Sequence, residues 1–558
     1  MSLKGTLTNI VKGALKLLAA EGKITLTPPT PFIEMTRDRR FGDYATNVAM
    51  IMASRMEGVG ARDLAEEVAA RIWEMDGGRN LDEVKVAGPG FINLTMSPAF
   101  WIGTLRSVLR EGGDFARTDV GKGRRVQVEF VSANPTGPLH VGHGRGAALG
   151  DALANVLSYA GYEVQREYYI NDAGNQIQTL GLSVYARYLQ ACRRDVPFPE
   201  EGYKGDYIRQ IAGQLIEEQG DRYLEMPEEQ AVEEIAVVAA GAILEDIRQD
   251  LEEFGVRFDR WFSEKRLLEE GAVQATLAEL EKSGHTYSHE GALWFRSTDM
   301  GDDKDRVMVK GDGSLTYFAS DVAYHREKYQ RGFHRVVDIW GADHHGYVAR
   351  MKAAVQALGR QWDDLQVLLI QLVSLSRKGV PVAMSTRAGE FVTLRQVREE
   401  VGRDAARFIF LTRKADSKLD FDLDLAKEQS NDNPVYYVQY AHARICSILR
   451  NAGERGVDLP DPEDVDLMLL QLPEERELIR YMAALPDVVE GAAVSLEPHR
   501  LTTYLRDIST ILHNYYYHHR VLADDVQLTA SRLALMLGVK TAIGKALELL
   551  GVSAPERM

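Results

Sequence analysis

Two histidines three residues apart, His140 and His143, enclose Gly142 where one pattern of apolar residues gives way to another. Val126, Val128 and Phe130 alternate with the period of two that a strand requires. Asn134, Pro135 and Gly137 then break the run. From Gly144 to Tyr159 the spacing is helical, with small residues on the first turns. The stretch therefore predicts strand, tight turn and helix. Gly142 would let a bulky ligand approach the backbone. The helix start offers unpaired N–H groups and a positive dipole end, suited to phosphate. Imidazoles beside such a start can donate to phosphate oxygens as they gain charge. A turn that merely caps a helix would use the same residues.

Four further stretches carry candidate chemistry. Gly161 to Asp172 reads as a strand ending in the polar run Asn171, Asp172, Ala173, Gly174, Asn175, Gln176. Asp312-Gly313 marks a hairpin turn. Just beyond it, Tyr317 and Asp321 are one helical turn apart and share a face if a helix begins there. A guanidinium needs a carboxylate it can fork and a flat aromatic wall, and Glu129, Tyr317 and Asp321 can supply these. Val336-Val337-Asp338-Ile339-Trp340 reads as a buried strand ending in Gly341-Ala342-Asp343-His344-His345. In open α/β sheets ligands bind at such strand ends. Finally, Arg377 to Phe391 is a basic loop with Lys378, Met384, Ser385 and Arg387. A hairpin with merely exposed basic residues would look similar. His285 and His289 are four apart, and Asp343-His344-His345 is acidic and imidazole-rich. Neither has a further ligand at useful spacing, so no protein-bound metal is expected.

The elements that must position these residues imply several domains. At 558 residues the chain exceeds a single core. It is 45% hydrophobic and 27% charged, an ordinary globular composition. Residues 1–118 predict a small α+β unit. Residues 119–390 alternate strand and helix, as in a doubly wound, Rossmann-like nucleotide-binding domain. Between about 183 and 290 the pattern is long Glu-rich helices (Glu217, Glu218, Glu228, Glu229), a helical insertion with a solvated face. Residues 391–430 predict a linker, and 431–558 a helical unit. In that unit Tyr436, Tyr440 and Arg444 fall on one face, and Tyr516 and Arg520 lie in a second aromatic and basic stretch. Interleaved bases and aromatics suit unstacked nucleotides, although such stripes also build cores. Cys192 and Cys446 form no metal or disulfide pattern, which fits a reducing cytoplasm. The first helix is amphipathic, no apolar run is long enough to cross a membrane, and none is expected as a partner. A net charge of −16 predicts weak non-specific binding to nucleic acid without excluding a local basic stripe.

His140-Val-Gly-His143 resembles the His-Ile-Gly-His signature of class I aminoacyl-tRNA synthetases, and the frame from Glu129 to Arg145 resembles the arginyl-tRNA synthetase version. Strings around Phe41–Asn47, Val86–Leu94, Asn171–Gln176, Pro434–Arg444 and Leu550–Met558 resemble the same family in the same order. The resemblance implies a multidomain α/β protein. Its N-terminal α+β domain would contact the tRNA elbow, and its C-terminal all-α domain would bind the anticodon. It implies an enzyme that joins L-arginine to its tRNA in two steps with ATP, with Mg²⁺ accompanying the nucleotide, working as a cytoplasmic monomer. His140, Gly142, His143, Met384 and Ser385 would bind ATP, with His140, His143, Lys378 and Arg387 serving the chemistry. Glu129, Asn134, His140, Tyr317, Asp321 and Asp343 would bind arginine, and Tyr436, Tyr440, Arg444, Tyr516 and Arg520 the tRNA. The family usually needs tRNA before it activates arginine. The loop departs from the Lys-Met-Ser-Lys-Ser pattern of the class, with Ala383 and Thr386 at its lysine positions. Another class I synthetase, a free nucleotidyltransferase and a non-enzymatic tRNA-binding relative are the competing readings. The lack of zinc-type cysteines, the helical C-terminal unit and the intact histidine pair argue against them in turn.

Overall fold

Helix α1 (Leu3–Ala20) buries Leu3, Leu7, Val11, Ala14, Leu15 and Leu18 along one stripe, as its spacing requires. The computed structural model describes residues 3–36, 38–382, 391–459 and 461–558. After α1 come β1 (Ile33–Met35), β2 (Tyr44–Thr46), α2 (Val48–Ala53), α3 (Ala61–Asp76), β3 (Leu81–Ala87) and β4 (Phe91–Met96). The strands form an antiparallel sheet of order β1-β2-β4-β3. Helix α4 (Pro98–Glu111) falls within the predicted first unit but leaves that sheet and packs among C-terminal helices, with Arg106 Nη2 donating to Val465 O at 3.3 Å.

The central sheet is parallel throughout. Its strands are β5 (Arg125–Glu129), followed by α5 (Val141–Tyr159), and β6 (Glu163–Ile170), followed by α6 (Asn175–Ala191), α7 (Asp206–Gln219) and α8 (Glu228–Glu253). Next come β7 (Arg260–Ser263), α9 (Glu264–Glu269), α10 (Ala272–Lys282) and a small antiparallel sheet of β8 (Thr286–His289), β9 (Ala292–Phe295) and β10 (Arg306–Val309). Helix α11 (Tyr317–Gln330), β11 (Arg335–Gly341), α12 (Val348–Ala357) and β12 (Leu365–Ile370) complete the unit. The strand order is β12-β11-β5-β6-β7. Successive strands step outward from β5 in one direction, then return to its other side with β11. The order therefore reverses between β5 and β11, which opens a crevice at their C-terminal ends.

Two expectations need correction. The stretch 183–290 is not one helical insertion: α6–α8 end at Glu253, and Arg260–Ser263 is an edge strand paired with β6 before α9 and α10. Four residues beside a long Glu-rich helix carry too little period to stand out. The linker 391–430 holds a strand as well. After β13 (Val373–Arg377), β14 (Val380–Pro381), α13 (Leu394–Val401) and α14 (Arg403–Phe410), strand β15 (Leu419–Asp422) pairs in parallel with β13. Leu419 and Phe421 are buried while Asp420 is exposed, the alternation of a half-covered strand.

Helix α15 (Leu423–Lys427) leads into α16 (Pro434–Glu454), α17 (Pro473–Ser495), α18 (His499–His518) and α19 (Val526–Leu549). Buried arginines join the units. Arg480 of α17 donates to Thr36 O of the first domain at 2.6 Å. Arg407 of α14 donates to Asp151 Oδ2 of α5 at 2.5 Å, to Phe254 O at 3.2 Å and to Leu550 O at 3.0 Å. Gly551 makes room for it. A Cβ there would fall 2.1 Å from the guanidinium, and the φ of +68° suits glycine in any case. Arg407→Met would strip the buried Asp151 of its shorter ion pair, leaving Arg166 Nε at 3.3 Å, and would leave the Phe254 and Leu550 carbonyls without this donor. The expected cost is about 3–5 kcal/mol, read as an earlier first transition in urea unfolding. An unchanged profile would contradict the bridging role.

Candidate functional site

The switch point between β5 and β11 holds a cavity of about 270 Å3. Glu129, the last residue of β5, forms part of its floor. Beyond Glu129 the chain bends through Val131 (φ +68°) and Ser132 (φ +40°). A β-branched residue in the left-handed region is costly, and such strain collects at functional sites. Here it lets Ser132 Oγ donate to Glu129 Oε1 at 3.0 Å while accepting from Tyr169 N at 3.1 Å.

Helix α11 supplies the opposite wall. Asp321, Tyr324, His325 and Lys328 follow the i, i+3, i+4, i+7 spacing of one helix face. Lys328 Nζ donates to Glu129 Oε2 at 2.5 Å and to Asp338 Oδ1 of β11 at 2.9 Å. His325 Nε2 meets Asp338 Oδ2 at 2.8 Å, and its Nδ1 donates to Asp321 O at 2.7 Å. Burial pushes Glu129 up, against the pull of Lys328. Burial also opposes ionisation of Asp338, but Lys328 and His325 hold it down at about 2. Burial lifts Asp321 to about 6, while the Tyr347 hydroxyl, donating to Oδ2 at 2.5 Å, works the other way. Among the described residues, no ion pair closes on Asp321. The cavity thus presents a half-buried carboxylate without an ion-pair partner.

Of the residues expected to bind arginine, Glu129, Asn134 and Asp321 line this cavity and His140, Tyr317 and Asp343 do not. Tyr317 is 72% exposed. It stands at the first position of α11, and the space beside Asp321 belongs to Tyr347, against which Phe318 packs edge-on at 6.2 Å. The Asp343 side chain is 82% exposed, while its neighbours Gly341 and His344 line the cavity. Asn134 Nδ2 donates to Gln176 Oε1 at 2.7 Å, across to the first turn of α6. Sequence reasoning missed Lys328, His325 and Tyr347. The signals were present. A polar stripe at helical spacing beside Asp321, and one carboxylate inside the apolar run Val336–Trp340, each require a buried partner.

The histidine pair begins α5. His140 Nδ1 accepts from Gly142 N at 3.1 Å and His143 N at 3.3 Å, and His143 Nδ1 accepts from His140 N at 3.3 Å. The rings stack with centroids 3.6 Å apart. Gly142 is explained by this geometry more directly than by ligand approach, since a Cβ there would lie 2.9 Å from the His140 ring. Both Nδ1 atoms are committed as acceptors, so each neutral ring carries its proton on Nε2. Burial lowers His140, and burial with the neighbouring ring pushes His143 down to about 3. The pair is therefore two neutral N–H donors at a helix start. Its turn is pinned by Val141 N donating to Val392 O at 3.1 Å and Leu394 N to Leu139 O at 2.8 Å. Residues 383–390 separate that segment from β14. Met384, Ser385 and Arg387, with Ala383 and Thr386, lie outside the described residues. Lys378 is exposed and occupies, with Gly379, the two-residue turn between β13 and β14, where both φ angles are positive (49° and 77°).

In the C-terminal helices Tyr436 and Tyr440 stack at 5.8 Å, and the Arg444 guanidinium lies 4.5 Å over Tyr440 and 4.7 Å over Tyr516. His513 Nδ1 accepts from Arg444 Nη1 at 2.8 Å. Arg520 is exposed beyond the end of α18. Among the described residues, no group of three or more His, Cys, Asp or Glu could hold a metal ion, and no helix is long and apolar enough to cross a membrane. The histidine geometry is directly measurable. Nitrogen NMR of His140 and His143 should show Nε2–H tautomers, with His143 still neutral at pH 5. A protonated His143 at that pH would contradict the stacked, acceptor-committed arrangement.

Three family models match the chain: an arginyl tRNA synthetase N-terminal domain over residues 5–96, a class I (R) tRNA synthetase catalytic domain over 104–420, and a DALR anticodon binding domain over 438–558. The chain is 54% identical to the arginine–tRNA ligase of Syntrophotalea carbinolica over 95% of this chain and 96% of that one. It is 52% identical to that of Desulfosudis oleivorans over the full length of both. Among solved structures it is similar to Thermus thermophilus arginyl-tRNA synthetase, with 25% identity, a TM-score of 0.78 and full coverage of both chains. A neutral histidine pair at a helix start, an unpaired carboxylate at the switch point and full-length matches to one group of enzymes lead to the same conclusion: the chain belongs to the arginyl-tRNA synthetase family of class I synthetases.

Proposed function

We propose that the cavity at the β5–β11 switch point receives the side chain of L-arginine while His140 and His143 attend the phosphates of ATP. The observation that carries this reading is Asp321, a half-buried carboxylate with a tyrosine hydroxyl but no ion-pair partner beside it. An incoming guanidinium supplies that cation and forks Asp321 and Glu129. Asn134, at the cavity mouth, faces the amino-acid backbone, while Tyr317 and Asp343 act from the rim.

The chain attaches L-arginine to its cognate tRNA in two steps. The arginine carboxylate attacks the α-phosphate of ATP, forming arginyl-adenylate and releasing pyrophosphate. A terminal ribose hydroxyl of the tRNA then takes the arginyl group. Adenylate formation requires positioning and charge stabilisation more than covalent assistance. The two Nε2–H groups donate to phosphate oxygens as these gain charge, and Gly142 keeps the turn tight beneath them. Mg²⁺ accompanies the nucleotide, and Lys378 meets the leaving pyrophosphate. The stack of Tyr436, Tyr440, Arg444 and Tyr516, with Arg520 beyond it, receives anticodon bases and phosphates. The N-terminal domain touches the tRNA elbow. Free Cys192 and Cys446 fit the cytoplasm, and the enzyme acts as a monomer.

ATP–pyrophosphate exchange with each amino acid, with and without tRNA, tests the reading. Exchange with arginine alone, dependent on tRNA, is expected. His143→Ala should lower its kcat about 10²–10³-fold, the loss typical for a donor to developing charge. Exchange with another amino acid, or none at all, would contradict the reading. Its pH dependence has a defined sign. Arginine binds the ionised form of Asp321, whose pKa in the empty site is about 6. KM for arginine should be flat above about pH 7 and rise about tenfold per unit as pH falls below 6. A KM independent of pH down to 5 would remove Asp321 from the binding step.

A further inference from the structure

Two arginines of α13 reach back to α8, the last long helix before β7. Arg395 Nε donates to Asp250 Oδ1 at 2.7 Å and its Nη2 to Asp246 Oδ1 at 2.6 Å. Arg398, one turn later, pairs with Glu253. The three acids follow i, i+4, i+7 spacing and share one face of α8. Asp250 is almost wholly buried, and burial pushes it up against the pull of Arg395. The helices do not pack continuously here. A cavity of about 370 Å3, with Pro138, Tyr207, Ile243 and Arg395 in its lining, lies between them. Where packing leaves a gap, the fork of Arg395 sets the spacing of α13 from α8.

The start of α13 holds the histidine turn. Thr393, its N-cap, forms an antiparallel bridge with His140. The bridge is flanked by Val141 N donating to Val392 O at 3.1 Å and Leu394 N to Leu139 O at 2.8 Å. Leu394 sits directly on the first turn of α5, where a Cβ on Gly144 would fall 2.6 Å from its Cδ1. Helix α7 meets the approach to the same turn, with the Tyr207 hydroxyl donating to Thr136 O at 2.6 Å. We propose that Arg395 is a positioning residue for adenylate formation: by tying α13 to α8 it holds the histidine turn, and with it the Nε2–H groups of His140 and His143, in register with the phosphates. This rests on the reading that places those histidines at ATP. Asp246 and Asp250, the partners of Arg395, do not line the arginine cavity. Loss of the fork therefore falls on kcat and spares arginine binding.

ATP–pyrophosphate exchange reads that split. Arg395→Met should lower kcat about tenfold, as a small misplacement of reacting groups does, and leave KM for arginine within about twofold. Arg395→Met combined with Asp250→Asn strands no buried carboxylate and should show the same loss. Arg395→Lys reaches one carboxylate but cannot fork two, and should fall between. In a His143→Ala background Arg395→Met should cost no more than about threefold, because one of the groups it holds is already gone and coupled effects do not add. A purely structural arginine predicts otherwise: full kcat in the variant that also carries Asp250→Asn, or an equal loss with and without His143. Either result would overturn the proposal. An unchanged kcat for His143→Ala itself would instead remove the reading beneath it, so the two failures are distinguishable.

Discussion

An ammonium buried between two carboxylates is stable only when both partners hold their places, because removing either leaves an uncompensated charge in a dry interior. Lys328 imposes that condition on the three elements whose ends form the cavity. Glu129 comes from β5, Asp338 from β11 and the lysine from α11. The interaction therefore fixes the spacing of the two strands at the switch point and the rotation of the helix lying over them. It also occupies two carboxylates with one ammonium and leaves Asp321, one helical turn before Tyr324, without an ion pair among the described residues.

The rest of the chain brings the histidine turn close to that point. Doubly wound topology places the start of α5 beyond the end of β5, so the chain that leaves the cavity at Glu129 runs directly into the histidine turn at His140. The left-handed backbone at Val131 and Ser132 makes this possible in so short a span. Neutrality of the pair follows from burial and from the backbone donors that occupy both Nδ1 atoms. The rings consequently offer hydrogens rather than full charges, and catalytic charge must come from elsewhere. Arg407 joins α5, the end of the insertion and the end of α19 through one guanidinium, so the helix that carries the histidines is also a contact of the C-terminal domain.

Much of this was legible in the sequence because it rests on short-range patterns. The turn at His140–His143 announces itself by period change and glycine, and α11 starts at Tyr317, where the Asp312-Gly313 turn places it. Glu129, Asn134 and Asp321 share one cavity because the end of β5 and the first turns of α11 meet at the crevice. The pairing of Glu129 with Lys328 was not legible, since 199 positions separate them and only the sheet order brings them together. That Tyr317 stands outside the cavity was not legible, because a shared helix face does not tell which neighbour fills the space beside it. Strands β7 and β15 were missed because four residues are too few to assert a period next to long helices.

The most direct measurement compares arginine with citrulline, its neutral isostere, in ATP–pyrophosphate exchange by wild type and Asp321→Asn. If the unpaired carboxylate selects the substrate by charge, the wild-type preference for arginine in kcat/KM should fall by about 100-fold or more in the variant, the scale of a buried charge-assisted pair. An arginine preference that survives Asp321→Asn undiminished would contradict the account, because selection would then lie in shape or in some other group.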